Sequence, residues 1–170
     1  MTPEPAAPPW RRLIAAGLAF NGWWLLLVYF RDHLAVLTLA GALLAWEALP
    51  SGLRKPALLL AAAGSALDFA LAASGLLRFV GVGTLPLWMM TLWLSFACWW
   101  VWLLRAWRPS PRLLAALGAL AGPAAYYAGF QLQALQPGLP WWGLMPILAL
   151  LWGVGLPQTL RLTLQGRAAQ

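Results

Sequence analysis

Charge is what this chain has least of, and acidic charge least of all. Of its 170 residues, 4 are Asp or Glu, 11 are Lys or Arg, and all charged residues together make up 9%. A soluble domain carries about 25% charged residues. A water-facing surface with so few would not stay dispersed, so a soluble enzyme and a disordered chain are both excluded. Cys98 is the only cysteine, which rules out an internal disulfide and a disulfide-stapled secreted domain. His33 is the only histidine. It cannot supply the paired-ligand spacing of a zinc site or a multi-histidine iron site. No serine sits in a nucleophile-elbow pattern, and Gly81-Val-Gly83 leads into no lysine of a phosphate loop. No metal, no cofactor and no catalytic residue is expected, and a non-enzyme is favoured.

What remains is oil. Hydrophobic residues make up 62% of the chain, and mean hydropathy is +0.74. Six apolar runs are separated by charge, proline or glycine: Leu13 to Phe30, Leu34 to Leu49, Pro56 to Leu77, Leu85 to Leu104, Leu113 to Leu135, and Trp141 to about Leu160. A spanning helix needs roughly 20 apolar residues for a core of ~30 Å, and most runs fit; the second is short. Pro56 suits a helix opening and Thr84 an N-cap. The runs do not alternate polar with apolar, so strands are not expected. No internal repeat stands out. The fold expected is all-α, an integral membrane bundle of about six transmembrane helices over 13–160. A proline-rich disordered cytoplasmic tail over 1–12 precedes it, and a short cytoplasmic tail over 161–170 follows.

The basic residues supply a check on this reading. Alternating sides for the loops put Arg11, Arg12, Arg54, Lys55, Arg105, Arg108, Arg112, Arg161 and Arg167 on one side, leaving Arg31 and Arg78 on the other. Cytoplasmic loops collect Lys and Arg. Both termini are therefore expected in the cytoplasm of a bacterial inner membrane, with no nucleic acid as partner. Thirteen tryptophans read mostly as interfacial anchors, with Trp10, Trp46, Trp99, Trp100, Trp102 and Trp107 near inner ends and Trp88, Trp141 and Trp142 near outer ends.

Polar residues inside the runs are the candidate site. A charged Asp at a helix centre costs roughly 2.5–3.5 kcal/mol on insertion scales. Asp68 lies near mid-depth on a stripe of small residues, Ala61, Gly64, Ala72 and Gly75, which favours a face turned to protein. A proton-carrying or substrate-binding carboxylate competes with a hydrogen-bonded acid gluing two helices, and the structural role is favoured. Asn21 lies at comparable depth, where an Asn–Asp contact would satisfy both groups. Glu47 is expected to pair with Arg54, Lys55 or Arg105 at the interface. Gly118 and Gly122 form a close-packing pattern, Pro123 predicts a kink, and Tyr126 follows it.

These motifs resemble those of a family of bacterial membrane proteins, the domain of unknown function 2878. The resemblance rests on Phe20-Asn-Gly22-Trp23, Glu47, Gly64-x-x-x-Asp68, Pro86-x-Trp88 with Leu92-Trp93-x-x-Phe96, Trp102-Leu103, and Gly118-Ala119 with Gly122-Pro123-x-x-Tyr126-x-Ala128-Gly129. It covers about residues 13 to 155. Similar proteins often have Ser just before that tyrosine, where this chain has Ala125, so a catalytic hydroxyl is missing there. The resemblance implies a polytopic inner-membrane protein whose relatives tend to be encoded near fatty-acid-modifying methyltransferases. The expected role is an accessory in membrane-lipid or fatty-acid modification, with membrane lipids as partners. A small proton-coupled transporter, and a structural companion of another membrane enzyme, are the alternatives. Asn21, Glu47, Asp68, Pro123 and Tyr126 form the candidate polar intramembrane site.

Overall fold

The computed structural model describes residues 9–107 and 109–168. Among these described residues six α-helices follow one another: α1 (Pro9–Phe30), α2 (Ala35–Glu47), α3 (Ser51–Ala73), α4 (Leu87–Ala106), α5 (Pro111–Gln131) and α6 (Trp141–Ala168). Five helical segments are long and apolar enough to cross a membrane: Trp10–Glu47, Ser51–Ala73, Leu87–Ala106, Pro111–Gln131 and Trp141–Leu162. The protein is thus a multi-pass, all-α membrane bundle. The expected count of about six becomes, among the described residues, five such segments, the first of which turns back at Arg31 so that α1 and α2 run in opposite directions between the two ends of the bundle. The first segment holds both α1 and α2, folded at Arg31, whose φ is +49°, through a short 3₁₀ turn. α2 has 13 residues, about 20 Å at 1.5 Å per residue, which falls short of a ~30 Å hydrocarbon core.

Helix boundaries differ from the sequence expectation where proline and capping decide them. α3 begins at Ser51, so Pro56 sits inside the helix and does not open it. Thr84 caps nothing; Pro86 is the N-cap of α4 and makes no side-chain bond. Ser110 does cap α5, its hydroxyl accepting from the Leu113 N–H at 3.2 Å. Helix already begins at Pro9 and continues to Ala168, inside stretches expected as tails. Residues 1–8 of the expected N-terminal tail lie outside the described residues.

Strands, which were not expected, occur as one short ribbon. β1 (Leu77–Phe79) pairs antiparallel with β2 (Leu135–Pro137), Arg78 standing opposite Gln136. Each strand follows a helix that ends in the same way. After α3 the Gly75 N–H donates to Ala72 O and the Leu76 N–H to Leu71 O; after α5 the Gln133 N–H donates to Phe130 O and the Ala134 N–H to Gly129 O. Both are Schellman ends, with the turning residue left-handed: Gly75 at φ +77° and Gln133 at φ +56°. The chain therefore uses one plan twice, helix–strand–helix over α3–β1–α4 and again over α5–β2–α6. A structural repeat exists where none stood out in the sequence.

Two buried clusters mark the two ends of the bundle. At one end Leu49, Leu53, Leu104, Leu114 and Leu156 pack together, with Leu13, Trp46 and Trp107 against them. Arg11, Arg12, Arg54, Lys55, Arg105, Arg112 and Arg161 belong to this basic end by chain position. At the ribbon end Val28, Leu77, Phe79, Trp88, Leu135 and Leu144 pack together. Two of the tryptophans expected as anchors, Trp88 and Trp100, are buried in the protein. Trp10 and Trp142 are exposed, but Trp88 is 0% and Trp100 5% exposed, inside the protein.

The left-handed positions carry a test. A non-glycine residue in that region costs about 1–2 kcal/mol. Gln133→Gly is expected to raise stability by about 1 kcal/mol, read as a higher Tm in mild detergent, whereas Gly75→Gln lowers it.

Candidate functional site

The site grows from two glycines, each four residues before a polar group. A Cβ on Gly64 would lie 2.1 Å from the Trp93 ring, and a Cβ on Gly122 would lie 2.3 Å from the Trp152 ring. The missing side chains let α4 and α6 lay large indoles flat on α3 and α5, and the two indoles stack on each other with centroids 5.5 Å apart. Gly118 also meets α6, at the backbone of Trp152. The small residues admit rings and backbone, which gives the close approach expected of them its physical form.

One helical turn on from each glycine stand Asp68 and Tyr126. Asp68 is 1% exposed. Its Oδ2 accepts from Trp93 Nε1 at 2.7 Å and its Oδ1 from the Tyr126 hydroxyl at 2.5 Å. One carboxyl group thereby ties α3, α4 and α5 together. In a hydrocarbon medium no water competes for it, and each donor offsets part of its desolvation.

A groove of about 580 Å³ opens beside this junction. Its floor is α4, from Trp88 through Leu92, Trp93 and Phe96 to Leu103, with Trp107 at the basic end. One wall is α1, through Phe20, Asn21, Trp24 and Val28; the other is α5, through Leu117, Ala121, Ala125 and Tyr126. Asp68 reaches its surface, and Trp152 and Leu156 complete it. From Trp88 to Leu103 the floor runs about 22 Å at 1.5 Å per residue. Phe20 lies stacked on Trp99 at 4.5 Å, which holds α1 against α4 at that level. Trp23 lies against Gly41 of α2 and donates to Ser95 Oγ at 3.0 Å.

The five residues singled out from sequence fall in three places. Asp68 and Tyr126 are joined and lie on the groove. Asn21 also lines the groove, but it does not meet Asp68: its amide donates to Gly17 O in its own helix at 2.8 Å. Asn is short enough to satisfy itself on the preceding turn. Pro123 is buried within α5, outside the groove lining. Glu47 is remote, at the basic end, in an ion pair with Arg54 at 2.9 Å. Trp93, Trp152, Phe20 and Trp24 were not singled out as site residues. The signal for the two indoles was the glycine four residues ahead of each polar group.

Tyr126→Phe removes one donor and leaves Oδ1 without a partner. It is expected to cost about 1–3 kcal/mol, measured as a fall in thermal stability. Asp68→Leu strands both the indole and the phenol and is expected to cost at least as much.

A model of the family described as Protein of unknown function (DUF2878) matches residues 13–158. No curated protein and no solved structure matches the chain.

Proposed function

We propose that this chain, which belongs to the DUF2878 family, holds the hydrocarbon chain of a membrane lipid in the groove between α1 and α5 and serves as an accessory in membrane-lipid handling. One observation carries the reading: an apolar groove of about 580 Å³ that follows α4 for most of a bilayer's hydrocarbon depth, with a carboxyl–phenol pair at mid-length. Aromatic rings on the floor and alanines on the α5 wall give a smooth slot suited to a flexible chain. The Asp68–Tyr126 pair supplies a polar point for an oxygen-bearing group on that chain.

We place the protein in a bacterial inner membrane with both termini in the cytoplasm. The support is the arginine distribution: among the described residues seven basic side chains belong to one end, and Arg31 and Arg78 to the other. Arg31 is in addition engaged with Leu132 O and Gln133 O at the end of α5. A reporter that is active only in the cytoplasm is expected to be active when fused to Gln170 and silent in the loop at Gly83.

A proton-coupled carrier is the second reading, favoured by the repeated hairpin plan, since many carriers are built from repeats. It predicts that Asp68→Asn stops flux in reconstituted vesicles while the protein still folds.

The holding role is tested by filling the groove. Ala125→Phe and Ala121→Phe place rings into it from α5 and are expected to lower co-purifying lipid several-fold, by native mass spectrometry, with Tm little changed. Lipid content equal to wild type in both variants contradicts the reading. In cells, deletion of the gene is expected to change the lipid profile under membrane stress.

A further inference from the structure

We propose that the groove is the open side of a hinge between two copies of one helical hairpin, and that α5 closes on α4 by a pivot about the Asp68–Tyr126 bond. This regulation of the site rests on the groove being the binding site.

The two hairpins are related by a two-fold axis along the bundle, because counterpart residues meet each other. Asp68 and Tyr126, 58 positions apart, are bonded together. At the same offset Arg78 stands opposite Gln136 in the ribbon. The bonds beside that pair also exchange: the Val80 N–H donates to Ala134 O and the Gly138 N–H to Leu76 O, both at 2.9 Å. Gly64 and Gly122 share the offset and the role of seating an indole. In the second helices the offset is 59: Trp100 Nε1 donates to Thr159 Oγ1 at 2.8 Å, and Trp93 stacks on Trp152 with their planes 13° apart. Only residues on a two-fold axis face their own counterparts, and these pairs run from the ribbon to the basic end.

Such an axis requires the contact of α3 with α6 to be matched by one of α5 with α4. It is not. α3 packs on α6, while α4 and α5 have no comparable packing, and the groove lies between them. The fold is symmetric in its plan and asymmetric in its tilt. The polar and stacking ties between the hairpins just described all lie at the axis, where a rotation stretches them least. A tilt of the α5–α6 hairpin toward α4 would close the groove and part α3 from α6, and a hydrocarbon chain in the groove holds it open. α1 and α2 pack on α4 and so move with the first hairpin; Arg31 ties them to the second at Leu132 O and Gln133 O, next to the ribbon.

Spin-label distances test this in full-length protein carrying Cys98→Ala. One pair, Met90→Cys with Leu120→Cys, reports α4 to α5; the other, Leu58→Cys with Leu150→Cys, reports α3 to α6. All four positions are exposed, outside the groove lining. Samples are nanodiscs of phosphatidylethanolamine and phosphatidylglycerol, and the same protein stripped of lipid in detergent. On stripping, the α4–α5 distance is expected to shorten by several ångström while the α3–α6 distance lengthens. No change in either pair overturns the hinge. So does shortening of the first pair alone, which is local collapse of α5. Lipid content of the same samples, read by mass spectrometry, separates a rigid groove that holds lipid from a groove that holds none.

Discussion

A carboxyl group buried in a membrane bundle has to find its donors in the protein. Asp68 does so with an indole and a phenol, from two other helices. Neither donor can reach it unless the helices approach closely, and that requirement explains the glycines around it. Gly64 makes room for the Trp93 ring that carries one donor. Gly122 makes room for Trp152, against which Trp93 stacks. The bond, the glycines and the two indoles are one device, and each part loses its purpose without the others.

The groove follows from where that device sits. The junction pins α3, α4 and α5 at mid-depth, while α1 is held to α4 by the Phe20–Trp99 stack and by Trp23 on Ser95. Between the pinned helices the small side chains of α5 leave space that no ring among the described residues fills. In water such a space would be a liability. In a bilayer the occupant proposed for it is a chain of the surrounding lipid, and the polar pair gives one position along it a distinct chemistry.

Much of this was legible in the residues. The apolar runs placed most of the helices, and the cost of a mid-membrane acid marked Asp68. The doublet Gly122-Pro123 pointed to Tyr126. That Glu47 would meet a cation at its helix end was legible, with Arg54, Lys55 and Arg105 all in reach; the structure selects Arg54. Asn21 misled because depth alone does not say where a short amide turns; it bonds its own helix. Trp88 and Trp100 misled because an indole that suits an interface also suits a core that offers its N–H a partner, as Val80 O and Thr159 do. The ribbon was hidden by its length, three residues per strand. The repeat was hidden for two reasons. Most of its shared residues are alanine, glycine and leucine, which are common in any membrane helix. Its most telling position carries Gly75 in one copy and Gln133 in the other, and only the backbone shows that both turn left-handed.

The most direct measurement of the central claim is an electron cryomicroscopy map of the protein in lipid nanodiscs, resolved well enough to separate acyl chains from side chains. The account predicts an elongated density along α4 between Trp88 and Trp107, flanked by α1 and α5, with the Tyr126 hydroxyl on Asp68. A groove occupied by the protein's own displaced side chains, with Asp68 bonded elsewhere, would contradict it.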